Sequence, residues 1–309
     1  MAAAPTSSDP AWPPLPFEEW KDTCATLHMY TQIVGKVRLA LSPPVNHWWH
    51  VPLYVTARGL TTSPIPYRGE IFEIEFDFLS HRLELRTGSG GGGAVALQPR
   101  PVADFYGRTM ALLRSQGIEV AIRPMPVEVP DPIPFDQDQQ HASYDREQAH
   151  RFWRLLVLAD TIFKEFRGRF LGKCSPVHFF WGSFDLAATR FSGRRAPPRE
   201  GTDSITREAY SHEVSSAGFW PGGGGIDGPA FYCYAAPEPP GLSAEPIRPE
   251  AAFYHPALKE FLLPYGAVRT EASLRAAVMD FLQSSYEACA RLAGWDLESL
   301  ERRLESRAG

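Results

Sequence analysis

The chain has 309 residues, 44% of them hydrophobic, which is enough for one large domain or two ordinary ones with a packed core. Its formal charge is −5 and its cations gather no further than Arg194-Arg195 in a Pro-rich loop, so a phosphate backbone is a poor partner and nucleic-acid binding is set aside. No stretch approaches about 20 uninterrupted apolar residues and MAAAPTSSDPAWPPLP has neither a basic nor an apolar region, so the sequence predicts a soluble, cytoplasmic protein without membrane contact.

In chain order, the first predicted element is a helix from Phe17 to Leu41, where Trp20, Cys24, Leu27, Tyr30, Ile33, Val34, Val37 and Leu41 recur at three- and four-residue steps. Pro43-Pro44 stops it. Strand-like runs follow at 47–58, 70–79, 81–87 and 94–98. In EIFEIEFDF, Phe72, Ile74, Phe76 and Phe78 take the core face, and Glu73, Glu75 and Asp77 the wet one. The run GSGGGG (88–93) reads as a hairpin loop, and 101–116 as a helix with Pro101 at its start and Gly117 just past its end. After the Pro/Asp/Gln-rich connector, a helix over 145–172, a strand over 177–191 and a polar loop over 192–206 are expected. Then come REAYSHEVSSAGFWP, a second glycine run (222–225), AFYCYAAP, FLLPY and helices over 271–293 and 296–306.

The second half repeats the order of the first. SPPVNHWWH pairs with CSPVHFFW, so that His178 answers to His47; EIFEIEFDF pairs with EAYSHEVSS, and the two glycine runs pair with each other. The expectation is an α+β fold built from an internally duplicated α-β-β-β-β-α unit, with antiparallel sheet and helices packed on one face. Its divisions are a disordered tail at 1–16, a first unit at 17–130, a connector at 131–143 and a second unit at 144–309.

The runs LHMYTQIVGKVRLALSPPVNHWWHVPLYVTARGLTTS, SPVHFFWGSFDLAATRFSGRRAPP and REAYSHEVSSAGFWPGGG resemble a bacterial family catalogued only as a domain of unknown function, family 5996. The likeness covers about residues 17 to 300. It implies a bacterial cytoplasmic protein and carries no reaction, cofactor or site residue.

The presumed repeat lets one half serve as a control for the other. Where the first strand has Phe72, Ile74, Phe76 and Phe78, the second has Tyr210, His212, Val214 and Ser216, an exchange tolerated most readily along a cavity. The expected site is a pocket in the second half, with His212 or His178 transferring a proton, Tyr210, Glu213 and Asp185 orienting it, Trp181, Phe219 and Trp220 as walls, and Arg190 holding an anionic group. The ligand is a small apolar or aromatic molecule and the protein an enzyme of unknown reaction class. The alternatives are a non-catalytic small-molecule-binding or interaction protein, and a metal enzyme using His47, His178 or His212. No motif names a cofactor: there is no HExxH, GxxxxGK or GxSxG, and each glycine run leads into a strand and not a helix N-terminus, so neither reads as a phosphate cradle. Cys24, Cys174, Cys233 and Cys289 show no CxxC pairing and read as reduced thiols. Oligomeric state stays open.

Overall fold

The structure, a computed structural model, describes residues 12–223 and 226–302. Helix α1 (Phe17–Leu41) carries Glu18 and Glu19 in its first turn and Arg38 in its last, matching the helix dipole, and ends where Ser42 turns extended ahead of Pro43-Pro44. The first half continues through β1 (Tyr54–Val55), β2 (Gly59–Thr61), β3 (Ile65–Tyr67), β4 (Glu70–Asp77), β5 (Arg82–Thr87), β6 (Gly92–Ala96) and helix α2 (Val102–Ser115). The second half runs α3 (Arg146–Gly168), β7 (His178–Phe180), β8 (Asp185–Arg195), α4 (Ser204–Ala209), β9 (His212–Trp220), β10 (Ala230–Ala236), β11 (Phe253–His255), β12 (Glu260–Pro264), α5 (Tyr265–Val268), α6 (Leu274–Leu292) and α7 (Leu297–Leu300).

The fold is α+β. One antiparallel sheet has the order β1-β2-β4-β5-β6 with β3 added to β4, and the other has the order β11-β12-β10-β9-β8-β7. A single residue pair joins them: Leu53 and Phe179 exchange two backbone hydrogen bonds of 2.8 Å. The row Phe72, Ile74, Phe76 and Phe78 is buried as expected, in a core that takes in residues of both halves and of α1, α2, α3 and α6. The opposite face of β4 is drier than the alternation predicts, because Thr56 and Arg86 cover Glu75 while Arg58 covers Asp77. Trp12 and Leu15, assigned to the tail, lie in the core, where Tyr265 donates to the Pro13 carbonyl at 2.7 Å.

Three expectations need correction. The strand over 47–58 is mostly a turn: residues 46–48 form one 3-10 turn in which His47 and Trp48 take φ of 59° and 61°, and only Tyr54–Val55 enters the sheet. The strand over 177–191 is a hairpin, reversed at 181–184 with Phe184 at φ 58°, so His178 pairs with Ala187 and Phe180 with Asp185. That reversal puts His178 and Phe180 on the face opposite Leu186 and Ala188. The motif matches also shift. By hairpin position the counterpart of His178 is Leu53, not His47, because Val55↔Leu60 and Phe180↔Asp185 are the closing pairs. Gly88–Gly93 lies between the fourth and fifth strands of its meander, whereas the second run lies between the third and fourth, with 224–225 outside the described residues. The residue-level matches drawn from the sequence therefore fail, and what the halves have in common is a long helix followed by an antiparallel meander.

Candidate functional site

In β9 the odd-numbered residues Ser215, Ala217 and Phe219 face the helices, Phe219 packing against Phe231 and Tyr265. Val214 and Ser216 point the other way, and so does His212, in register with Arg195. This other face carries a small apolar cluster of its own, Phe191, Val214 and Ala236, with Trp49, Tyr210 and Tyr234 against it. The expected correspondence of Tyr210, His212, Val214 and Ser216 with a helix-facing row is therefore overturned. Tyr210 is not in a strand at all; it closes α4.

The turn at 46–48 reaches over from the first half and lays its side chains on this face. His47 donates its Nδ1–H to the carbonyls of Glu208 (3.2 Å) and Ala209 (3.3 Å), which leaves Nε2 as an acceptor, and Lys173 Nζ donates to it at 2.7 Å. The Lys173 ammonium stands 5.2 Å from the Trp49 ring and 5.0 Å from Phe191. Burial lowers its pKa. His47 is lowered by burial and by the Lys173 charge, and so stays neutral beside it. The His212 ring lies 5.5 Å from that of His47; Ser211 Oγ engages its Nδ1 at 3.1 Å, so Nε2 remains for another partner. Two successive left-handed non-glycine residues, His47 and Trp48, cost about 1–2 kcal/mol each, a strain that the contacts with α4 and Lys173 offset.

Further along the face, the hydroxyls of Tyr210 and Tyr234 meet at 2.8 Å, and the Tyr234 ring stacks on Tyr232 at 6.1 Å. Tyr232 and Ser183 donate to the two oxygens of Asp185. Burial raises the Asp185 pKa, and burial together with the Asp185 charge pushes Glu260 up to about 7. Gly218 makes room for the tyrosine: a Cβ there would stand 2.3 Å from the Tyr232 hydroxyl and 2.5 Å from the Leu186 carbonyl oxygen.

The expected site residues divide accordingly. His212, Tyr210 and Asp185 share the face opposite the helices, and His178 lies on it too, fully buried beneath Trp49 and Tyr54. Arg190 is on the helix side, its guanidinium 3.4 Å from the Phe166 ring centroid, and cannot hold an anion beside Asp185. Glu213 is bound by Arg194 at 2.7 Å and Ser192 at 2.9 Å. Trp181 lies on Gly35 and donates to the Val51 carbonyl, Phe219 is core, and Trp220 sits half-buried at the end of β9. Sequence reasoning passed over Lys173 and Trp49, and gave His47 a role only as a metal ligand in an alternative reading. The available signal for Lys173 was a lysine next to the Cys-Ser-Pro turn in a chain whose cations are mainly arginine.

Among the described residues no three His, Cys, Asp or Glu side chains gather as metal ligands, and no helix is long and apolar enough to cross a membrane. A family model matches residues 12–302. The chain belongs to DUF5996, a family of unknown function. No curated protein and no solved structure matches it. Membership agrees with the resemblance drawn from the sequence motifs and assigns no residue a role.

Proposed function

We propose that this is a bacterial, cytoplasmic enzyme that acts on a small apolar or aromatic molecule by histidine-centred acid/base chemistry on the aromatic face of the second sheet. The observation that carries the reading is the 2.7 Å contact between Lys173 Nζ and His47 Nε2, with His212 5.5 Å away ring to ring. A lysine whose charge is disfavoured by burial, next to a neutral imidazole that can accept its proton, is a proton-transfer pair. The half-buried rings of Trp49 and Tyr210, backed by buried Phe191, give an apolar body something to lie on, and His212 Nε2 is placed to take or give a proton.

A second reading, non-catalytic small-molecule binding, draws support from a groove of about 660 Å³ away from these groups, lined mainly by Leu15, Phe17, Pro229, Leu262 and Tyr265 with Arg269 at its rim. Screening small aromatic and apolar compounds by ligand-observed NMR, then for turnover, separates the two. The enzyme reading expects a compound whose turnover falls by roughly 100-fold or more in His212→Ala with melting temperature nearly unchanged. Hits that bind only in the groove and are never turned over would sink it.

A further inference from the structure

His178 sits in β7 one residue from the pair that joins the sheets, with no exposed surface, and neither Nδ1 nor Nε2 has a partner. Buried polar atoms are normally satisfied, and each one left free costs about 1–3 kcal/mol. The walls around it are rings: Trp49 at 5.9 Å, Tyr54 at 5.5 Å and Phe180 at 5.4 Å. Arg38 reaches the same place from the end of α1. Its guanidinium lies 5.2 Å from the Tyr54 ring, Nε donates to the His50 carbonyl at 2.7 Å, and Nη1 is buried without a partner. Burial disfavours the Arg38 charge, with Tyr54 alone offsetting it. The charges of Arg38 and of Arg167, on α3, both act on the imidazole, but Arg167 is itself engaged by Cys174 and by the Asp160 charge.

We propose that Arg38 and His178, which both lie against the Tyr54 ring, form a buried receptor for a small oxyanion, a carboxylate or phosphate group, at the joint between the two sheets. An oxyanion supplies what both lack: acceptor oxygens for the free Arg38 Nη1–H and the imidazole N–H, and a negative charge beside a guanidinium whose charge burial disfavours. Arg190 gives the contrast. It too is buried with free N–H groups and donates to a carbonyl, that of Phe166, but unlike Arg38 it feels the charge of a carboxylate, Glu301. The aromatic walls limit the guest to a group of a few atoms. The proposal stands apart from the proton-transfer reading, although Trp49 borders both places.

Thermal unfolding of the full chain in phosphate, acetate and benzoate, each against chloride at equal ionic strength, tests it. The wild type should show a saturable rise of roughly 5 °C at about 100 times the dissociation constant. Both Arg38→Met and His178→Phe should lose that rise. General salting effects shift all three proteins alike. A larger effect from phosphate identifies a free anion, and one from benzoate identifies the carboxylate of a small molecule. If Arg38→Met does not fold, His178→Phe decides. No saturable shift in the wild type, or the same shift in the variants, overturns the proposal.

Discussion

Replacing His178 by Phe turns its burial into a measurable slope. Burial, and then the charges of Arg38 and Arg167, lower the His178 pKa from the usual 6.5 to about 3. Below pH 6.5 the unfolded chain binds a proton that the folded one refuses. The stability that comes from keeping His178 neutral is therefore complete above 6.5 and is lost as pH falls toward 3. Each pH unit is worth about 1.4 kcal/mol, so by pH 4.5 the wild type should have lost roughly 3 kcal/mol relative to His178→Phe. Against a total stability of about 5–15 kcal/mol that is a large loss. Any overpacking by the larger ring adds a constant offset, so slope and not intercept decides. His28, lowered to about 4, and Glu260, raised to about 7, titrate in the same window with opposite signs, but both are common to the two proteins and cancel in the difference. Urea unfolding followed by tryptophan fluorescence at pH 7.5, 6.5, 5.5 and 4.5, in chloride-only buffers, gives the two curves. Parallel curves would refute the assignment of His178 as a buried neutral ring.

Three further outcomes are expected. Lys173→Met removes a positive charge beside two histidines whose pKa values it depresses, so the Cε1–H resonances of His47 and His212 should both titrate at higher pH by NMR; unmoved midpoints would dissolve the proposed pair. Gly218→Ala drives a methyl group into the Tyr232 ring and the Leu186 carbonyl and displaces the hydroxyl from Asp185, which should cost about 3 kcal/mol in chemical denaturation; a loss under about 1 kcal/mol contradicts the packing described. Glu260→Gln removes a carboxyl whose raised pKa makes the wild type gain stability as pH falls below 7, so the variant should lack that gain; identical pH profiles would show that Glu260 is fully solvated.

Much of the fold could be read from the chain. The three- and four-residue apolar steps of α1 and the strict alternation of EIFEIEFDF each have one periodicity, and each folds accordingly. The site was harder to read for two local reasons. In VHFFWGSFDLAA the turn is marked only by Gly182-Ser183 inside an aromatic run that otherwise reads as one strand, and missing that turn exchanges the faces of every residue before it. NHWWH takes two left-handed non-glycine residues, and besides local turn bonds it is contacts with residues more than 120 positions away that hold His47 there. His212 and Asp185 were placed in the site by their chemistry alone. Lys173 could not be, because what distinguishes it is the imidazole that the other half brings to it.

Leu53 and Phe179 hold the sheets together along a single rung, where neighbouring strands elsewhere share a ladder. The common hydrophobic core, which takes in residues of both halves, packs the two sheets together as well. His47 and Trp49 belong to one side of the rung, and Lys173 and His212 to the other. The 2.7 Å contact between His47 and Lys173 therefore depends on how the common core seats one sheet against the other, so a core substitution far from that face can reach it.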